Sequence, residues 1–236
     1  MNRRDAIRAA AAAATGLATG TSPILGTTVD RSATHTTDLS GQPAPEILLR
    51  GGRIINADGG RFADIRILGE RITEIGPDLV AGLNTRVVDT TGHLVMPGGI
   101  DPHTHLQGSF IDNLTSGTSA ALAGGVTTVG TFAYSQGDEN AIEAMDRWIA
   151  EVPKKAIGDV FFHASSWPPT SEFADMMPEL AARGQPSHKI FMTRSDYGER
   201  RREVIQVLEA ARDAGVVTLM HCEDSAILDT TLENKG

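Results

Sequence analysis

The chain has 236 residues, 40% hydrophobic and 22% charged, the proportions of an ordinary globular protein. Its formal net charge of -9 argues against nucleic acid as a partner, because phosphate-backbone binding depends on clustered Lys and Arg. Cys222 is the only cysteine, which excludes an internal disulfide and a cysteine-based zinc ribbon, and no run reaches the roughly 20 apolar residues of a membrane span.

Arg3 and Arg4 precede the Ala-rich run Ala9–Ala14 and the Thr15-Gly16-Leu17-Ala18 that follows it. Paired arginines before a mildly hydrophobic stretch resemble a twin-arginine export signal, which predicts a periplasmic or otherwise exported protein. The plainer alternative is a helical, Ala-rich N-terminus on a cytoplasmic protein. Residues 27–41 are rich in Thr, Ser and Asp without apolar periodicity, as a solvated linker is. Residues 1–44 are thus expected to be export signal and linker, with folding beginning near Pro45.

Residues 45–93 predict a small β-sandwich-like module. Ile47–Leu49, Arg53–Ile55, Asp64–Leu68, Arg71–Ile75 and Arg86–Val88 are short apolar or alternating runs. Gly51-Gly52, Gly59-Gly60 and Gly76-Pro77 punctuate them. Strands this short need one another to bury a face.

From residue 94 the rhythm changes to strand and helix in alternation. An apolar segment reaches Pro97-Gly98-Gly99-Ile100-Asp101, and a helix is expected from about Asn113 to Ala123. Thr127–Phe132 reads as a strand, and Glu139–Ala150 as a helix whose apolar stripe is Ile142, Met145 and Ile149. Asp138-Glu139 would then supply negative charge to that helix start. Val160–His163 predicts a strand and Ser171–Arg183 a helix with Ser171 as N-cap. His188–Met192 predicts a strand, Glu199–Ala214 a helix ending at Gly215, and Val216–Met220 a strand.

Alternating strands and helices imply an α/β fold with parallel pairing and right-handed crossovers. About five barrel-type strands are present, where a complete (β/α)8 barrel has eight over roughly 250 residues. The expectation for residues 94–236 is therefore a partial TIM-type (β/α)8 barrel. An open doubly wound sheet is the competitor, but no Gly-rich phosphate loop follows any strand.

Polar residues at strand ends favour the barrel. Asp101-Pro102-His103-Thr104-His105 ends the first strand, and residues i and i+2 of an extended segment point the same way. His103 and His105 can thus converge on one point, as metal ligation at about 2.0–2.1 Å requires, or they are simply a pair of surface histidines. His221 follows the strand Val216–Met220, at the end where barrel enzymes place catalytic groups. Cys222 beside it would face the other way, as a small packed residue. Lys189 lies within an apolar strand, where a cation is costly unless paired or neutralised. It snorkels to the rim, is held by a carboxylate, or is a neutral amine able to capture carbon dioxide as a carbamate.

Two further blocks complete a pattern. Leu94-Val95-Met96-Pro97-Gly98-Gly99-Ile100-Asp101-Pro102-His103-Thr104-His105-Leu106 resembles the signature of dihydropyrimidinases and hydantoinases in the amidohydrolase superfamily. Ala120-Ala121-Leu122-Ala123-Gly124-Gly125-Val126-Thr127-Thr128 resembles the next block of that family. Lys189-Ile190-Phe191-Met192 resembles the segment holding its carboxylated lysine, and His221-Cys222-Glu223 that of a further ligand. The likeness runs from about Glu46 to the C-terminus.

The resemblance implies two divalent metal ions, zinc in expectation. His103 and His105 would bind one, Lys189 as carbamate would bridge both, and His221 would bind the second. Such a pair lowers the pKa of a bridging water and polarises a carbonyl, opening a cyclic amide or related small-molecule substrate. It also implies a homo-oligomer when full length. Leu106 stands where dihydroorotases and allantoinases carry an arginine, which disfavours their substrates. Arg194 stands where hydantoinases carry an oxyanion-stabilising tyrosine, and would either donate to developing negative charge or select an anionic substrate. His163, at the end of its strand, would point toward the site without being a ligand. The family's last histidine ligand and catalytic aspartate come from later strands, so the sequence predicts an N-terminal fragment, inactive by itself. The alternatives are a catalytically inactive scaffold of the same family, another amidohydrolase such as an N-acyl amino acid deacylase, or a metal-free α/β domain binding sugars or nucleotides.

Overall fold

The structure, a computed structural model, describes residues 45–107, 112–185 and 187–233, so the expected export signal and linker lie outside it. The described residues divide into two compact units, 45–97 and 98–233.

The first unit holds two small sheets. Strands β1 (Glu46–Arg50), β4 (Asp64–Leu68), β5 (Arg71–Gly76) and β6 (Arg86–Asp89) form one, in the order β5-β4-β1-β6. Strands β2 (Arg53–Asn56), β3 (Gly59–Phe62) and β7 (Leu94–Val95) form the other, in the order β3-β2-β7. Leu48 of β1 and Ile65 of β4 are buried in the first of these sheets. The buried carboxylate of Asp64 accepts the N–H groups of Gly51 at 2.8 Å and Leu79 at 3.0 Å, which ties two loops to the first sheet. Strand β3 was not expected, because Gly59-Gly60 read as punctuation. Register pairs Asn56 with Gly59, leaving only Ala57-Asp58 to turn the hairpin. The φ of 122° at Gly59 is open to glycine and disfavoured for L side chains, so here the glycine makes the strand pair possible. Strand β7 pairs in parallel with β2, so the first unit extends to Pro97, past the boundary expected at residue 93.

The second unit is a parallel sheet with helices. Its strands are β8 (Gly99–Asp101), β9 (Val126–Tyr134), β10 (Asp159–Ser165), β11 (Ser187–Phe191) and β12 (Val217–His221). They lie in the order β12-β11-β10-β9-β8, every neighbouring pair parallel. A doubly wound sheet reverses its strand order at a switch point. This sheet has no reversal, and the unit is a partial (β/α)8 barrel.

Helices α1 (Leu114–Ala123), α2 (Ala141–Lys155), α3 (Ser171–Asp175), α4 (Met177–Ala182), α5 (Arg201–Ala214) and α6 (Ser225–Glu233) supply the crossovers and the last element. The core lies on the helix-facing side of the sheet. Val129, Ala133, Val160, Phe162 and Ile190 pack there with Ile142 and Met145 of α2, Leu180 of α4, and Val204 and Val207 of α5. Each large side chain so buried contributes about 1.5–3 kcal/mol relative to exposure.

Local chemistry corrects several expectations. The helix expected over residues 171–183 is two helices broken at Met176, because Pro178 has no N–H to continue the first. Its cap is Thr170 rather than Ser171, with Thr170 Oγ1 accepting from Phe173 N at 3.1 Å. Asn140 caps α2 through a capping box with Glu143. Glu139 does not serve that helix start: it binds Arg147 at 2.7 Å and 2.8 Å. Cys222 is exposed rather than packed. Among the described residues, no helix is long and apolar enough to cross a membrane.

Candidate active site

Parallel register carries one set of side chains onto the face of the sheet opposite the helices. Phe132 is level with His163, Tyr134 with Ser165, Ser165 with Lys189, and Phe191 with His221. His103 and His105 follow β8 at the same carboxyl end of the sheet. The sequence-predicted residues therefore share one face.

The segment bearing the two histidines is fastened to β9. Thr104 donates to Gly130 O through its N–H at 2.7 Å and its hydroxyl at 2.8 Å. Thr131 Oγ1 donates to Thr104 O at 3.0 Å and accepts from Leu106 N at 3.2 Å. Gln107 Nε2 reaches Thr131 Oγ1 at 2.7 Å and Phe132 O at 2.5 Å. A Cβ at Gly130 would sit 2.5 Å from the Phe161 ring and 2.7 Å from Pro102 O, so only glycine permits this approach. The threonine between the histidines thus anchors them.

Phe132 is the hub on which the site is assembled. Its ring centre lies 5.0 Å from both His103 and His105 and 5.2 Å from His163, and the two metal-candidate rings are 5.5 Å apart. Burial, then the nearby Lys189 charge, lowers the pKa of His103. Burial, then His103, does the same for His105. Both are thereby held in the neutral form that offers a lone pair.

His163 is a brace. Its Nε2–H donates to Pro102 O at 2.7 Å, and Nδ1 meets Ser187 Oγ at 2.7 Å. Since a carbonyl only accepts, this fixes the tautomer with the proton on Nε2. Burial keeps the ring below its ordinary pKa.

Lys189 is 2% exposed. Its Nζ stands 5.4 Å from the Phe132 ring centre and 5.1 Å from that of Phe191. No carboxylate pairs with it among the described residues. Burial lowers its pKa from the ordinary lysine value.

His221 is placed differently. Its Nε2 lies 2.5 Å from Glu223 Oε2 and its ring 6.2 Å from Phe191. Among the described residues, no three His, Cys, Asp or Glu side chains converge as a ligand group. The structure shares a face among the four expected ligands without gathering them to a point. Leu106 is buried in the core instead of facing the site, packed over Gly117. Arg194 is exposed in the loop after β11, its guanidinium 5.7 Å from the Trp167 ring centre. Of the residues that sequence reading did not single out, Phe132 was visible only as one apolar position of a strand. Gln107 and Trp167 gave no signal.

The sequence profile of the amidohydrolase family matches residues 94–236, the whole strand–helix unit. The chain belongs to the amidohydrolase family. It is 32% identical over 197 residues to the dihydropyrimidinase of Rattus norvegicus, covering 79% of this chain and 38% of that protein. Dihydropyrimidinase-related protein 5 of Mus musculus is also 32% identical over 197 residues, with 80% and 35% covered. A solved D-hydantoinase (dihydropyrimidinase) from Thermus sp. superposes with a TM-score of 0.71 at 33% identity, covering 80% of this chain and 43% of that one. This amidohydrolase chain therefore spans about two fifths of the length of the relatives it matches.

Proposed function

We propose that this amidohydrolase opens cyclic amides by metal-dependent hydrolysis at the carboxyl ends of its barrel strands. Lys189 carries the reading: a buried amine with no carboxylate partner among the described residues, on the same face as His103 and His105. Burial shifts Lys189 toward the neutral amine, and the neutral amine is the form that adds to carbon dioxide, giving a carbamate and a released proton. That conversion places an anion where a protonated lysine would repel metal cations.

The donor set fits two divalent cations, zinc by preference, because two neutral imidazoles, an anionic carbamate and a third imidazole are zinc-type ligands. His103 and His105 would hold one ion, Lys189 would bridge, and His221 would reach the second after releasing Glu223. Bound there, the ions supply Lewis-acid polarisation of the amide carbonyl and acidify water. The rest falls to the chain itself. Thr104, Thr131 and Gln107 hold the histidine segment in place, His163 braces it from Pro102, and Phe132 keeps water from beneath the ligands. The relatives named dihydropyrimidinase and D-hydantoinase support a dihydropyrimidine or hydantoin ring as the substrate class. The same reading holds that the working enzyme is a homo-oligomer, exported on Arg3-Arg4.

The test uses protein expressed from its natural gene and supplied with zinc. Dihydrouracil and hydantoin should each yield a carbamoylated amino acid. The reaction should stop on chelation, resume on zinc addition, and be lost in His103→Ala. Cleavage of N-acetyl amino acids instead would reassign the enzyme to acyl removal. Absence of any turnover with two zinc ions bound would overturn the hydrolase reading in favour of a scaffold.

A further inference from the structure

The loop that leaves β11 is built around an arginine. Phe191 closes the strand, and Met192 is fixed to the end of β12 by its N–H to His221 O at 3.0 Å. Ser225 N donates to Met192 O at 3.2 Å, so the loop starts from a rigid frame beside His221. Tyr197 N then returns to Arg194 O at 2.9 Å, making a turn with Arg194 at its first corner.

The guanidinium of Arg194 lies over the ring of Trp167, 5.7 Å from its centre, in the loop that leaves the neighbouring strand β10. Trp167 is itself held: its Nε1–H donates to Asp196 Oδ1 at 3.1 Å, while Asp196 Oδ2 takes Arg200 Nε at 2.6 Å. Asp196, the acid nearest in sequence, is therefore committed to Arg200 and Trp167. Arg194 is left with no carboxylate partner among the described residues, exposed at the same sheet end as the histidines and Lys189. A cation–π contact restrains the guanidinium, which then loses less entropy on binding than a free arginine, and its unpaired N–H edge can donate. Such an edge recognises a planar oxyanion through two parallel hydrogen bonds.

We infer that Arg194, positioned on Trp167, is a specificity-determining residue that receives a carboxylate borne by the substrate away from the scissile amide. The inference rests on the hydrolytic reading above and names its substrate class: a cyclic amide with an anionic side arm. A neutral ring would leave the guanidinium without a partner on the substrate.

The test compares two hydantoins that differ only in the 5-substituent, methyl against carboxymethyl, on wild type, Arg194→Gln and Arg194→Lys. The wild type should prefer the carboxymethyl ring. Arg194→Gln should raise KM for the carboxymethyl ring at least tenfold more than for the methyl ring, since the charge-assisted hydrogen bonds to the carboxylate are lost. Arg194→Lys should recover part of the difference, because it restores charge without the fork. Equal loss of kcat for both rings would overturn the inference, placing Arg194 at the reacting oxygen. An unchanged preference would also overturn it. If wild type opens neither ring, the hydrolytic reading fails separately, and the anion site is decided by titrating glutarate against the indole N–H resonance of Trp167, assigned with Trp167→Phe. A saturable shift in wild type that is absent from Arg194→Gln sustains the anion site. No shift in wild type overturns it.

Discussion

The amine of Lys189 stands 5.4 Å above the centre of the Phe132 ring, although the two residues lie on strands separated by β10. Phe132 is fully buried, and His103 and His105 each rest 5.0 Å from the same ring. One aromatic side chain thus underlies three of the four expected metal ligands, His103, His105 and Lys189. A ring face attracts a desolvated cation by roughly 2 kcal/mol. That does not offset the cost of burying an ammonium, which is why Lys189 is available for chemistry that removes its charge.

Replacing Lys189 with Met should make this trade visible. Removing a buried amine relieves desolvation, so the metal-free Lys189→Met protein should melt about 2–4 °C higher than metal-free wild type. Ring opening should be abolished. Differential scanning calorimetry with chelator present checks the first part. A lower melting temperature would show that the amine is structurally satisfied.

Gly130→Ala should damage the site from behind. The new methyl would meet the Phe161 ring at 2.5 Å and Pro102 O at 2.7 Å, and Pro102 directly precedes His103. Overpacking of this kind costs about 1–3 kcal/mol. The urea midpoint should fall accordingly, and zinc affinity should fall with it. Adding Phe161→Ala should restore part of the stability and little of the affinity, because the contact with Pro102 O persists.

His188 supplies a pH dependence. It lies on the helix side of β11, fully buried, with Nε2 2.7 Å from Thr218 Oγ1 and its ring edge-on to Phe173. Burial lowers its pKa from 6.5 to about 4. Above pH 6.5 neither folded nor unfolded chain holds that proton, and the stability from this group is complete. As pH falls from 6.5 toward 4 the unfolded chain takes up the proton first, so stability is lost across that window. Between pH 7 and pH 5 wild type should lose about 2 kcal/mol more than His188→Gln, at 1.36 kcal/mol per pKa unit. Urea unfolding of both proteins at the two pH values measures the difference, and equal losses would refute it.

Much of the barrel was legible because its signals are local and periodic. Ile142 and Met145 mark the buried stripe of α2, and Gly215 stops α5 where a C′ glycine belongs. The strand ends could be read because His103, His105 and His221 interrupt apolar runs. Strand β3 was missed because its pairing depends on a glycine that reads as a break. The split between α3 and α4 was missed because Pro178 sits within a run that otherwise suits a helix. Within the site, identity was readable and contact was not. The sequence placed Lys189 in a strand, yet its position over Phe132 depends on registers across three strands. The turn of His221 toward Glu223 is a side-chain contact within one short segment, and the approach of Arg194 to Trp167 joins two different loops. No periodicity encodes such contacts.

The most direct test is the initial rate of dihydrouracil ring opening measured against zinc bound per chain, for wild type and Lys189→Ala. The account predicts no reaction without metal, a rate that rises as the second zinc binds, and neither the second zinc nor the reaction in Lys189→Ala. A rate that survives chelation, or two zinc ions retained in Lys189→Ala, would contradict it.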